Sequence, residues 1–401
     1  MSPVTEPQAI KKAARVARKV CVALGGTLLF LVLFEISLRV AFWSKDRLAN
    51  RTDTVQDRRA KAEVYTDAAR ASSLFREFHD SYRARWEPYV YWRRAAFTGD
   101  FININGRGIR YTTGCPVSEP TNTCLEVFVL GGSTAWGTGV QDSDTIPSVI
   151  QRRLTAAGIR ARVTNYAETG YVSTQEVIAL LCLLRASERP DAVVFLNGVN
   201  DTFSALQQGA AGLPQNELHR RREFNILKAE RYRDLRQTFA GAWVGRLAVN
   251  RLAVAIGRRV FGERSIPRNG HEDALSPAST LPRDVIQQYD ANMDLINAVA
   301  KANGFRADSY WQPTLFTKQV RTKHEQSELE LRLWARPFFE AVNLELRNSH
   351  TATRSNFHDL SDVFDTETRS VYIDFCHLGK FGSETIGSRI AEDLIAHFTR
   401  L

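Results

Sequence analysis

An α/β protein built on a parallel sheet, preceded by one membrane-spanning helix, is the fold class that this sequence predicts. Three observations carry that expectation. With 401 residues, 44% of them hydrophobic and 24% charged, the chain can bury a sizeable core. From residue 125 onward, short apolar runs ending in glycine or asparagine alternate with amphipathic stretches, the pattern of strands and helices in βαβ units. Near the N-terminus, Val20 to Phe34 carries no charge.

That apolar run continues through Ile36, Leu38, Val40, Ala41, Phe42 and Trp43, and about 24 residues suffice to span a bilayer as a helix. Glu35 and Arg39 interrupt it four residues apart, acid first, so they can pair, and Arg39 is near enough to the end to snorkel. Lys11, Lys12, Arg15, Arg18 and Lys19 precede the span, with Glu6 the one acid on that side. By the positive-inside rule the N-terminus lies in the cytoplasm and everything after about residue 44 lies outside. A cleaved signal peptide would share the basic start, but the run is long and ends in bulky residues without a small-x-small cleavage site. The expected location is the inner (cytoplasmic) membrane, single-pass, with the folded domain on the periplasmic side.

The 53 Lys and Arg against 44 Asp and Glu give +9, yet no module with a nucleic-acid signature appears, so nucleic acid is not an expected partner. Of five cysteines, Cys21 lies in the span, Cys182 in a helical run and Cys376 close to the C-terminal motif described below. Cys115 and Cys124 flank a loop (CPVSEPTNTC) that can close as a disulfide in an oxidising compartment, although two free thiols would look the same. No cysteine or histidine spacing reads as a zinc site, and neither metal nor cofactor is expected.

Residues 44 to about 85 alternate in charge and predict a solvated helix leading from the membrane; Trp86, Tyr89, Tyr91 and Trp92 follow as a packing cluster. Leu125 to Leu130 predicts a buried strand opening at Gly131 and Gly132 into a turn. A helix over Asp144–Ala157 follows, capped by Ser143 or Asp144, then a strand over Arg162–Tyr166, a helix over Thr174–Ser187 and a strand over Ala192–Asn197. Residues 202–282 break the rhythm: Leu235, Phe239, Trp243, Leu247, Leu252, Ile256 and Val260 recur at near-helical spacing among arginines. This insertion reads as a helical pair packed on the core, with a lid or membrane-resting helix as the alternative. A helix over Arg283–Asn303, a strand over Arg306–Trp311, a charged helix over Glu325–Arg347, a short strand over Val371–Ile373 and a final helix complete the chain.

In parallel sheets functional residues gather beyond the carboxyl ends of the strands. Ser133 follows the first strand in VFVLGGSTAWG, where two glycines allow a sharp turn with open backbone amides. Gly170 follows the second strand in NYAETGY. The third strand ends in LNGVND, placing Asn200 where its amide can donate to an oxyanion or cap a turn. Asp374 and His377 lie three apart in YIDFCHLGKFG, a spacing at which the carboxylate can hold the ring with its other nitrogen free for a serine. His358, followed by Asp359, is the nearest rival base among eight histidines.

Ser133, Gly170, Asn200 and His377, in this order and each after a strand, resemble the SGNH hydrolases, also called GDSL esterases and lipases. The resemblance covers roughly residues 125–205 and 371–390. It implies a flavodoxin-like three-layer sandwich, with Ser133 as nucleophile, His377 as base and then acid, and Asp374 as orienting carboxylate. The Ser133 and Gly170 amides and the Asn200 side chain would form the oxyanion hole. One departure is the residue before the serine, Gly132 here where the family usually has aspartate.

The organisation expected is a basic cytoplasmic tail (1–19), a transmembrane anchor (20–43), a juxtamembrane helix and aromatic segment (44–110), and a hydrolase domain (111–401) carrying the helical insertion (202–282). The function expected is hydrolysis of acyl esters, O-acetyl first, on exported carbohydrate or cell-envelope substrates. O-acyl transfer, a lipid esterase and a non-catalytic glycan-binding module on the same fold are the alternatives. The partners are an acylated carbohydrate or lipid ester and, through the N-terminal helix, the membrane.

Overall fold

A computed structural model describes residues 8–52, 57–114, 124–221, 247–249, 252 and 279–400. Most of the expected amphipathic insertion, and Cys115 of the expected disulfide, lie outside them. The chain divides into two units, residues 1–56 with 222–267, and residues 57–221 with 268–401.

In the first unit, α1 runs from Gln8 to Thr52. Its Arg15–Ser44 stretch is long and apolar enough to cross a membrane, with a mean hydropathy of 2.2. Arg39 Nε donates to Glu35 Oε1 at 2.8 Å, the pairing expected from their spacing. The same carboxylate accepts the backbone N–H groups of Ala248 (2.7 Å) and Val249 (3.1 Å).

The second unit begins with a 3-10 turn, Arg58–Lys61, and α2, Ala68–Asp80. The charge alternation predicted a solvated helix, but Ala71, Leu74 and Phe75 of α2 are buried. Spaced i, i+3, i+4, these three make a narrow apolar stripe that the surrounding charges mask. Two antiparallel pairs follow, β1 (Ala84–Glu87) with β2 (Tyr91–Arg94), and β3 (Phe97–Thr98) with β4 (Asn103–Ile104).

The main sheet is made of β5 (Leu125–Gly131), β6 (Ala161–Asn165), β7 (Ala192–Asn197), β8 (Arg306–Trp311) and β9 (Phe357–Asp359), parallel throughout in the order β6-β5-β7-β8-β9. This is the flavodoxin-like 2-1-3-4-5 order, in which the chain reverses direction across the sheet between β5 and β7. Strands covered on both faces need apolar residues at successive positions, and every residue of Ala192–Asn197 is buried. The short α3 (Ser133–Trp136), α4 (Ile146–Ala156), α5 (Ser173–Arg185) and α6 (Val199–Gln208) follow the first strands. Then come α7 (Leu281–Asn303), α8 (Lys323–Glu330), α9 (Arg336–Arg347) and α10 (Lys380–Phe398). α4 packs on α10, while α7 packs on α5, α6 and α9, so the helices form two groups flanking the sheet.

Three local expectations are corrected. The cap of α4 is Thr145, whose hydroxyl accepts from Ser148 N, rather than Ser143 or Asp144. The charged stretch over 325–347 is two helices, because Pro337 has no N–H to continue one helix and suits the first turn of the next. The fifth strand is Phe357–Asp359, three residues too short to show a period, and Val371–Ile373 joins no ladder.

The N–H groups of that segment find other acceptors, as buried amides must. Glu325 Oε1 takes those of Val371 (2.9 Å) and Tyr372 (3.1 Å), and Ile373 N donates to His377 O at 3.0 Å. Glu325 Oε2 takes the Lys318 ammonium at 2.6 Å and Thr322 N at 3.0 Å, and both side chains of that ion pair are fully buried. Removing one partner of a buried pair typically costs about 3–5 kcal/mol. Glu325→Ala is therefore expected to lower the thermal midpoint of the folded unit by several degrees in calorimetry, and a midpoint equal to wild type would show the carboxylate to be dispensable.

Candidate active site

The loops leaving β5 and β7 meet at the point where the strand order reverses, and Ser133 and Asn200 stand there. Gly131 ends β5 at φ +153°, and a Cβ would run into the carbonyl of Leu196 on β7. Gly132 leaves room of a different kind, since a Cβ there would collide with Asn200 Nδ2. The position before the serine thus leaves space that the asparagine amide fills.

Ser133 Oγ lies 2.6 Å from His377 Nε2, and His377 Nδ1 lies 2.6 Å from Asp374 Oδ2. With the Nδ1 hydrogen given to the carboxylate, Nε2 is left to accept the serine hydroxyl proton. Asp374 Oδ1 also accepts the backbone N–H groups of Cys376 (3.0 Å) and His377 (2.8 Å), which curls the turn so that ring and carboxylate face each other. Burial alone would push the Asp374 carboxyl up, but the His377 imidazole, its hydrogen bond and Arg59 nearby together hold it well below the usual carboxylate range.

Asn200 Nδ2 donates to Tyr171 O at 2.8 Å, which leaves its second amide hydrogen available. Ser133, Gly170, Asn200 and His377 all line one cavity of about 430 Å³, with Phe203 and Phe375 on its apolar side. Among the described residues neither the Ser133 nor the Gly170 backbone N–H donates a hydrogen bond, so both can serve a ligand oxygen. The four residues read from the sequence are brought together. His358 is not with them: it stacks on Tyr310 at 4.5 Å and its nitrogens lie 3.6 Å from Asp308 and Asp393.

Several contributors escaped the sequence. Gln312, one residue past β8, donates to Thr134 Oγ1 (2.7 Å) and Cys376 O (2.9 Å), tying the serine turn to the histidine turn. Its position just beyond a strand end was the available signal. Arg59 Nη1 sits 3.7 Å from Asp374 Oδ2 while its other nitrogens hold Asp57. Trp136, fully buried behind Ser133, lies between the guanidinium groups of Arg94 (4.1 Å) and Arg110 (4.3 Å). Arg110 also donates to Gly137 O at 2.6 Å and Val140 O at 2.7 Å. Glu168 accepts from Arg94 N and Thr169 N, both at 2.8 Å, and so shapes the loop that carries Gly170.

Asp374, Cys376 and His377 offer ligand atoms within 4.8 Å of one another. They fit a metal poorly, because acid and imidazole are already hydrogen-bonded and burial pushes the Cys376 thiol up, keeping its proton on.

No protein-family profile matches the chain, and no curated protein matches it. Among solved structures it is similar to an acetyl xylan esterase, at 12% identity over 67% of this chain and 99% of that one, TM-score 0.33. It is similar also to a lipase/acylhydrolase from Enterococcus faecalis, at 12% identity over 68% and 96%, TM-score 0.34. A member of the lipolytic protein G-D-S-L family from Veillonella parvula DSM 2008 matches at 11% identity over 69% and 100%, TM-score 0.33. Identity and TM-score are both low, so the chemistry rests on the geometry alone.

A carboxyl held below its ordinary value stabilises the folded state fully above its unfolded value and loses that contribution as pH falls through the folded one. The stability gap between wild type and Asp374→Asn in urea is expected to stay constant from neutral to mildly acidic pH, and to close only below about 3.8. A gap that closes near neutrality would contradict a carboxylate held by His377 and Arg59.

Proposed function

We propose that this chain is a serine esterase of the SGNH type that cleaves O-acyl esters, acetyl esters first, on carbohydrate outside the cytoplasmic membrane. The observation that carries the reading is the continuous relay from Asp374 through His377 to Ser133, at 2.6 Å for each link, opening on a cavity that Gly170 and Asn200 also line. Each component answers a requirement of acyl transfer: a nucleophile, a base, an orienting acid and donors for the charge that develops on oxygen.

In the first step the Ser133 oxygen attacks the ester carbonyl while its proton passes to His377 Nε2. The charge formed on the carbonyl oxygen is received by the Ser133 and Gly170 N–H groups and the free amide hydrogen of Asn200. As the C–O bond of the ester breaks, His377 returns the proton to the leaving sugar oxygen, and an acyl group remains on Ser133. Water then repeats the sequence with His377 again as base, releasing the acid. A sugar hydroxyl in place of that water would turn the same acyl-enzyme to transfer.

The topology in this proposal follows from the basic residues before the apolar helix, which favour a cytoplasmic N-terminus and an external domain. A tethered external site has cell-envelope glycans within reach.

Labelling with a fluorophosphonate probe tests the nucleophile directly. Wild type is expected to label and Ser133→Ala not to; equal labelling of the two would end the proposal. Asn200→Ala should lower kcat on 4-nitrophenyl acetate about a hundredfold or more, the usual effect of losing one oxyanion donor.

A further inference from the structure

The β1–β2 hairpin carries aromatic rings that the chemistry above does not use. In its register Trp86 stands opposite Trp92 and Ala84 opposite Arg94. Residues directly opposite share a face, and side chains two apart on a strand point the same way. Ala84, Trp86 and Trp92 therefore share one side of the hairpin. Tyr82, Ala84 and Trp92 line the cavity at Ser133, and Trp86 is two residues along the strand from Ala84 on that shared side.

The two outer rings are open to solvent, Tyr82 at 62% and Trp86 at 67%. Leaving a large aromatic uncovered forgoes the stability its burial would give. They are nevertheless held in place. The Arg94 guanidinium lies 4.8 Å from the Tyr82 ring, and Trp86 packs on Tyr91 at 5.5 Å. Tyr91 in turn donates to Glu217 at 3.2 Å and carries Arg220 at 4.9 Å over its ring. Tyr89 and Tyr91 both adopt φ near +70° (70° and 74°), a left-handed conformation that is costly for bulky residues and sets the direction of the Tyr91 ring.

Polar groups are interleaved with these rings. Gln215 and Asn216 stand on the cavity wall beside Trp92. Flat rings bordered by hydrogen-bonding groups suit a pyranose, which has an apolar C–H face and a rim of hydroxyls. A lipid-contacting patch would instead gather aliphatic side chains.

We infer that this face of the hairpin is a carbohydrate-binding subsite continuous with the catalytic cavity, holding sugar units of a polymer next to the acylated one. The inference rests on the esterase reading and deepens it from a small ester to a polymeric glycan ester. It accounts for rings that stay exposed yet ordered at the mouth of the site.

The test uses the full chain in detergent. For wild type and Trp86→Ala, kcat/KM is measured on acetylated xylan and on 4-nitrophenyl acetate. The ratio of polymer to small-ester kcat/KM is expected to fall about tenfold in Trp86→Ala, mainly through KM, the size of effect one lost aromatic contact produces. Tyr82→Ala should act in the same direction. An unchanged ratio in both variants overturns the subsite. A second arm is independent of catalysis: the Ser133→Ala chain, with and without Trp86→Ala, is sedimented with insoluble acetylated xylan, cellulose acetate and acetylated chitin. Sedimentation with at least one polymer that is lost on Trp86→Ala supports the subsite, even if no ester is turned over and the esterase reading fails. Sedimentation with none of them, or equally with and without Trp86, overturns it.

Discussion

The Glu325 carboxylate is the point on which the placement of His377 depends. Val371–Ile373 lies buried but belongs to no sheet, so its amides would stand unpaired without the two that Glu325 receives. The charge that makes this carboxylate a strong acceptor is balanced by Lys318, itself buried. Immediately after this segment the chain turns through Asp374 and His377 and is pinned again by the Ile373 N–H to His377 O bond. A helix-capping acid from one part of the chain thus positions the base from another. The coupling is one of geometry, since Glu325 touches neither histidine nor serine in any hydrogen bond.

The serine side is fixed by other means. β5 delivers Ser133 just beyond its carboxyl end, and the turn behind it is gripped through Trp136 by two buried arginines from the segment before β5. Burial pushes the Arg94 guanidinium down to about 10, with Glu168 acting against that shift. Arg110 keeps its charge satisfied with Asp142 and a row of carbonyls. Gln312 then joins the two halves, bonding the serine turn and the histidine turn with one amide. The residues between 57 and 110 therefore belong structurally with the sheet and the Ser133 turn, and Arg110 does there what a larger apolar core could not, because it also binds backbone carbonyls.

How much of this was legible in the sequence followed from what is local. Strands buried on both faces announce themselves as largely apolar runs, so β5 and β7 were readable to within a residue. Ser133, Gly170 and Asn200 follow strands directly, and Asp374 and His377 sit within one turn of each other. What was hidden is non-local. Gln312 acts on residues 178 and 64 positions away, and no periodicity records such a partner. The fifth strand hid because Phe357–Asp359 is short and half polar, while Val371–Ile373 imitated a strand by being apolar and buried for another reason. Charge alternation before residue 85 suggested solvent where α2 packs, because three apolar residues in thirteen are enough for a contact stripe.

The bonds from Ala248 and Val249 to Glu35 bear on how the protein can be handled and processed. The chain leaves the catalytic unit at residue 221 and rejoins it at 268, and the excursion between belongs with the N-terminal helix. Proteolysis in the stretch before residue 57 would sever one covalent link but leave this excursion attached to the catalytic unit, deprived of the carboxylate that accepts its amides. A form lacking the helix is therefore a chemically different object from the full chain, because the Ala248 and Val249 amides must find another acceptor in place of the Glu35 carboxylate.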